Sequence, residues 1–199
     1  MLRSDEDLQV ISGSSGDEEL NDSVFVITRG RLPWLAVGLL GTLLSASVVR
    51  RFEGVLEQVV VLAFFIPIMT AMAGNAAIQS AAITVQGLSS GRLLLNDAFR
   101  RVFKEMAVAL LNGLCLSLML CGIVWAFDLG GDSALRLALV SSLALFIVIL
   151  LATTNGALIP VMLSRLGIDP AVSMGPFVTT ANDILGLSIY FAITTALYL

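Results

Sequence analysis

An all-α, polytopic membrane protein with five transmembrane helices is the fold this sequence predicts, and three observations predict it. Of 199 residues, 57% are hydrophobic and only 13% charged, whereas a soluble domain carries about 25% charged and about 45–50% apolar residues; the mean hydropathy is +0.95. Five long stretches are almost free of charge. None of them shows the period-two alternation of a half-buried strand. The charge is unevenly placed: residues 1–28 hold seven acids and one base, for a net −6, and residues 29–199 hold ten bases and eight acids, for a net +2. Histidine is absent, which excludes histidine-based acid/base chemistry and histidine-ligated metal sites. The body has no basic face on which a nucleic acid would rest.

Residues 1–28 form an acidic tail rich in Ser and Gly, without the charged-then-apolar pattern of a secretory signal; residues 1–22 are expected to be disordered, solvated and dispensable for permeation. The membrane domain occupies 29–199. Its first run, Leu32–Val49, is uncharged for 18 residues, just enough to cross about 30 Å of hydrocarbon, with Pro33 placed near the first turn, where proline is tolerated. Gln58–Gly91 is uncharged for 34 residues, too long for one simple span, and Met106–Phe127 is a clean span of 22. Leu137–Ser164 is uncharged for 28 residues, and Pro170–Leu199 is 30 residues broken by Asp183 alone. Cys115 and Cys121 lie six apart in the third run, about 9 Å of helical rise, too far for a disulfide; they read as buried apolar residues.

Orientation follows from the loop cations. With the N-terminus inside, Arg3, Arg29, Arg31, Arg92, Arg100, Arg101, Lys104 and Arg165 are internal, against Arg50, Arg51 and Arg136 outside. Five spans then leave the C-terminus outside. Between spans two and three, Leu95, Phe99, Val102, Phe103 and Met106 recur at helical spacing with Arg100, Arg101 and Lys104 between them. The pattern predicts an amphipathic helix along the inner interface, capped by Asn96 or Asp97; a plain loop is the alternative.

Ionisable groups within lipid usually face a water-filled path or a partner. Asp183 is the only charge deep in a predicted span, and no Lys or Arg lies in the spans to neutralise it. It is either protonated and structural or it meets a cation. Thr179 and Thr180, four and three residues earlier, share its helix face. Pro176 leaves the Val172 carbonyl without its helical partner, and Gly175–Pro176 invites a broken helix, or a simple kink satisfied by a neighbour. In the second run Pro67 likewise frees the Ala63 carbonyl. Asn75 and Gln79 share a face there, either as ion contacts or as hydrogen-bonding glue between helices. Ala73, Ala77 and Ala81 form a small-residue ladder for close helix approach. No catalytic constellation occurs: candidate nucleophiles have neither a histidine nor a nearby lysine, and an intramembrane aspartyl protease needs two aspartates.

The segment FFIPIMTAMAGNAAIQSAAITVQGLSSGR (64–92), the segment TTNGALIPVMLSRLGIDPAVSMGPFVTTANDILGLSIYF (153–191) and, as a first span, WLAVGLLGTLLSASVVRRFE (34–53) resemble in order and spacing the membrane domain of the MgtE family of magnesium channels and transporters, which is related to animal solute-carrier magnesium transporters. The likeness covers residues 31–199. It implies a five-helix subunit that dimerises around a central ion path lined by kinked second and fifth helices, in a bacterial or archaeal plasma membrane. The family's pore aspartate falls on Asp183 and the backbone carbonyl one turn earlier on Thr179, while Asn75 and Gln79 match polar positions of the second span. Usual members carry a cytoplasmic helical domain and paired CBS modules that sense Mg²⁺; about 30 residues precede the first span here, so that gating is expected to be absent or supplied by another chain.

Mg²⁺ dehydrates reluctantly and prefers six oxygens at about 2.0–2.1 Å, typically keeping waters. Two copies of Asp183 across a homodimer axis would supply two negative charges to a hydrated dication, with the side chains of Thr179, Thr180, Asn75 and Gln79 available to its waters. No cofactor is expected, Mg²⁺ being cargo. The rival readings are a broader carrier of Co²⁺, Mn²⁺ or Ni²⁺, an exchanger coupled to Na⁺ or H⁺, and a non-transporting membrane scaffold.

Overall fold

The computed structural model describes residues 22–94, 97–167 and 176–199. Helix α1 spans Val24–Arg51, a short α2 spans Glu53–Gln58, and a 3-10 segment, Val60–Phe65, leads into α3, Ile66–Ser89. Helix α4 covers Ala98–Ala126, a 3-10 turn covers Gly131–Ser133, α5 covers Ala134–Arg165 and α6 covers Pro176–Leu197. No strand occurs among the described residues, and five helical segments are long and apolar enough to cross a membrane, as the five uncharged runs predict. The acidic tail up to residue 21, the Leu95–Asn96 pair and the Gly175 side of the expected break lie outside the described residues.

Local chemistry sets where these helices begin. Pro67 cannot donate to the Ala63 carbonyl, so that oxygen accepts from the Ile66 N–H instead, at 3-10 spacing. The long second run therefore divides into a 3-10 segment and an α-helix that carries Pro67 in its first turn. In α1 the expectation fails: the helix begins at Val24, well before the apolar run, so Pro33 lies in its interior rather than in its first turn. The segment expected along the inner interface is not a separate helix either. It forms the first turns of α4, which continues unbroken to Ala126. No Pro or Gly interrupts residues 98–112, and Arg101 donates to Glu105 one turn on, bracing the join. Asp97 stands at the N-cap without a side-chain cap bond.

Helix α5 is the centre of the bundle, packed on α3, α4 and α6, while α1 rests on α6. Small residues decide these contacts. A Cβ added to Gly156 of α5 would sit 2.9 Å from Ala77 Cα of α3, so the two backbones touch. One added to Gly186 of α6 would sit 3.6 Å from Ala73 Cβ. The ladder Ala73, Ala77 and Ala81 is thus wholly buried within one chain. Gly113 likewise lets α4 approach Phe146 of α5. Cys115 is exposed on α4 and Cys121 half-buried, both free, so the first is not the buried residue its sequence setting implies.

The ends of the bundle are pinned by aromatic and polar contacts. Tyr190 of α6 donates its hydroxyl to the Leu62 carbonyl at 2.8 Å, and Phe52 stacks on Phe191 with centroids 4.9 Å apart. Arg136 Nε donates to the Leu197 carbonyl at 3.0 Å, and its guanidinium lies 5.6 Å from the Tyr198 ring centroid. At the opposite end Arg165 lies over Phe99 at 5.0 Å. These pairs make the start of α5 a neighbour of the end of α6, and the end of α5 a neighbour of the start of α4. The spans alternate in direction.

Candidate functional site

Hydroxyls are frequent in the spans, but most are already satisfied by their own helix. Thr42, Ser45, Thr84, Thr154, Ser188 and Thr194 each donate to the carbonyl four residues earlier, as hydroxyls in an apolar setting commonly do. They mark no path. The carboxylate of Asp183 differs, because it is half-buried in α6 and no described residue forms an ion pair or hydrogen bond with it.

Helix periodicity places Asp183 with respect to its neighbours. Thr179, Asp183 and Gly186 are spaced i, i+4, i+7 and share one face of α6. Thr179 Cγ2 lies 3.9 Å from where a Cβ on Gly74 would stand, and Gly186 faces Ala73. Both ends of that face therefore meet α3 at Ala73–Gly74, and Asp183 sits between them at the crossing. Thr180 is turned about 100° away and packs on α1, where an added Cβ at Gly41 would overlap its side chain, with Cβ to Cβ only 2.8 Å.

Asn75 and Gln79 lie on the exposed face of α3, opposite the buried alanine ladder. The structure does not bring them to Asp183 within one chain. Gln86, seven residues beyond Gln79 and on the same face, is exposed too; the sequence reading missed it, although the i, i+4, i+11 spacing of the three amides was available. That face is a polar stripe on a helix long enough to cross a membrane.

A second pair escaped the sequence reading. Asn182, almost fully buried, donates Nδ2 to the Val178 carbonyl at 2.8 Å and accepts at Oδ1 from Asn155 Nδ2 of α5 at 3.3 Å. The only hint was an amide beside the lone charge. Among the described residues no group of three or more Cys, Asp and Glu side chains could enclose a metal ion. One chain thus offers a single carboxylate set among amides and hydroxyls, a donor set suited to a cation that keeps its waters.

Comparison with known proteins fits this arrangement. A family model described as MgtE, divalent cation transporter, matches residues 66–193, which include α3 through most of α6. The chain is 37% identical over 194 residues to the magnesium transporter MgtE of Bacillus subtilis (strain 168), covering 96% of this chain and 42% of that protein. It is 39% identical over 168 residues to the magnesium transporter MgtE of Thermus thermophilus, covering 84% and 36%. The Enterococcus faecalis magnesium transporter MgtE matches at 33% over 180 residues, covering 89% and 38%. The chain spans about two-fifths of the length of these curated relatives. With Asp183, the polar face of α3 and five apolar spans all inside or bordering the matched region, the chain is a multi-pass integral membrane protein that belongs to the MgtE family.

Proposed function

We propose that this chain is the membrane domain of a Mg²⁺ transporter in which two copies pair around a path for the hydrated ion, with Asp183 of each copy facing it. The observation that carries the reading is Asp183, a carboxylate at the α3–α6 crossing with no basic partner among the described residues. The exposed stripe of Asn75, Gln79 and Gln86 supports it, since amides at membrane depth favour a water-filled cavity or another protein surface over lipid. Pairing two copies along that face gives the stripe its aqueous setting and brings two carboxylates to one dication. Thr179 and Thr180 border the site, Thr179 on the α3 side and Thr180 braced against α1. The relatives' printed names supply magnesium as the cargo. The family description, which names divalent cations in general, favours as a second reading a carrier that also passes Mn²⁺, Co²⁺ or Ni²⁺.

Reconstituted liposomes test both. At an effective dielectric of about 20, a dication about 4 Å from a carboxylate gains on the order of 8 kcal/mol of gross attraction. Ion desolvation offsets most of it, leaving a net loss of a few kcal/mol for Asp183→Asn, roughly a hundredfold in affinity. Mg²⁺ flux is expected to collapse in Asp183→Asn while the protein still folds; full flux would remove the reading and favour a scaffold. Competition by Mn²⁺ in the same vesicles separates the two cargo readings. In the membrane the α3–α4 connection faces the cytoplasm, as the excess of cations there requires. A cysteine at Arg100 should resist an impermeant thiol reagent on intact cells, and ready labelling would reverse the orientation.

A further inference from the structure

The amides of Asn155 and Asn182 lie 27 residues apart in sequence and meet between α5 and α6, directly beside the residue assigned to the ion. An apolar pair would fill the same space, and an unbonded amide in a membrane interior is costly. The hydrogen bonds give what apolar packing lacks, which is direction. Asn182 Nδ2 donates to the Val178 carbonyl of its own helix. Turning the amide over would set Oδ1 against that carbonyl, so the bond fixes which end of Asn182 faces α5. Only an acceptor is then presented to Asn155, which answers with its N–H. The pair is a polarised relay, locked to the α6 backbone at one end and to α5 at the other.

Adjacent residues on a helix point about 100° apart. Holding Asn182 against α5 therefore fixes the direction of Asp183 next to it, toward the α3 crossing. The other contacts around this turn, Thr180 on Gly41 and Gly186 on Ala73, are van der Waals contacts that limit approach more than rotation. At a side-chain radius of about 5 Å, a rotation of about 20° would move the carboxylate by about 2 Å, enough to misplace it in a site that needs sub-ångström placement. We infer that the Asn155–Asn182 relay is the positioning element that sets the rotation of α6 and thereby the place of the Asp183 carboxylate for the ion. The inference rests on the transport reading above.

The test measures Mg²⁺ flux into liposomes, separating the half-saturating concentration from the maximal rate, for wild type, Asn155→Leu, Asn182→Leu, the double variant and Asp183→Asn. Thermal unfolding in detergent reports folding of each. Each single amide variant is expected to raise half-saturating Mg²⁺ by about tenfold, the lower end of what loss of an outer partner costs a metal site. The double variant should be no worse than either single, because each change breaks the same unit. A purely structural role would lower the unfolding temperature and leave half-saturation at the wild-type value, which overturns the inference. Should Asn182→Leu fail to fold, Asn155→Ala, which keeps the Asn182–Val178 bond, is read in its place with the same expectation. Full flux through Asp183→Asn removes the transport reading and the inference with it. Lost flux there with unchanged half-saturation in the folded amide variants removes the inference alone.

Discussion

At Gly156 the backbones of α5 and α3 are in contact, and the missing side chain is what permits it. A methyl group there meets the Ala77 backbone, which cannot rotate out of the way as a side-chain tip can. Overpacking of this kind costs about 1–3 kcal/mol. Gly156→Ala is expected to lower the unfolding temperature in detergent, whereas Gly54→Ala, with open space around it in α2, should leave it unchanged or slightly raised. An equal response of the two would mean that the α3–α5 contact is looser than its geometry. Single residues were legible in the sequence where their chemistry clashed with their surroundings. Asp183 stood out as one charge in 30 apolar residues. Asn155 and Asn182 did not, because a span amide has many possible partners and only folding selects one across 27 positions. The Gly41–Thr180 contact was hidden for the same reason, since nothing local marks which helix a glycine will admit.

The second span shows what a single proline does at the scale of an element. By withholding its N–H, Pro67 passes the Ala63 carbonyl to Ile66, and six residues wind more tightly before the α-helix begins. A 3-10 segment is a poorer hydrogen-bonded structure than an α-helix, and Tyr190 reinforces it by donating to the Leu62 carbonyl from α6. Tyr190→Phe keeps the stacked ring cluster and removes that bond, a loss of about 1 kcal/mol. Faster amide hydrogen exchange in Val60–Phe65 is expected, with α5 unaffected; unchanged exchange would show that the segment holds without the tyrosine. Span number and position were readable because each run exceeds the length that lipid demands. Where one helix ends was less so. The amphipathic segment before the third span looked like a separate element because its cations interrupt the apolar run, yet backbone propensity carries α4 straight through them.

At the scale of the molecule, α5 is enclosed on several sides and α1 is almost bare, with only Gly41 and Ser45 buried. Lipid accounts for the exposed leucines of α1, but not for the amides on the outer face of α3, and this asymmetry is what the paired arrangement explains. Mass measurement in nanodiscs is expected to give twice 21.1 kDa for the conducting species, and a monomer that still conducts would exclude a shared path. The alanine ladder offered no guide to that pairing, for it is consumed inside the subunit. A last consequence concerns biosynthesis and follows from the place of α6. Its richest window has mean hydropathy 1.3, against 2.6 for α5, so it is the span least able to enter lipid on its own merits. Every helix it touches precedes it in the chain. By the time the ribosome has made α6, the Asn155 amide, the Gly41 notch and the Leu62 carbonyl already stand in the bilayer, and the helix richest in polar groups is delivered to a berth prepared for them.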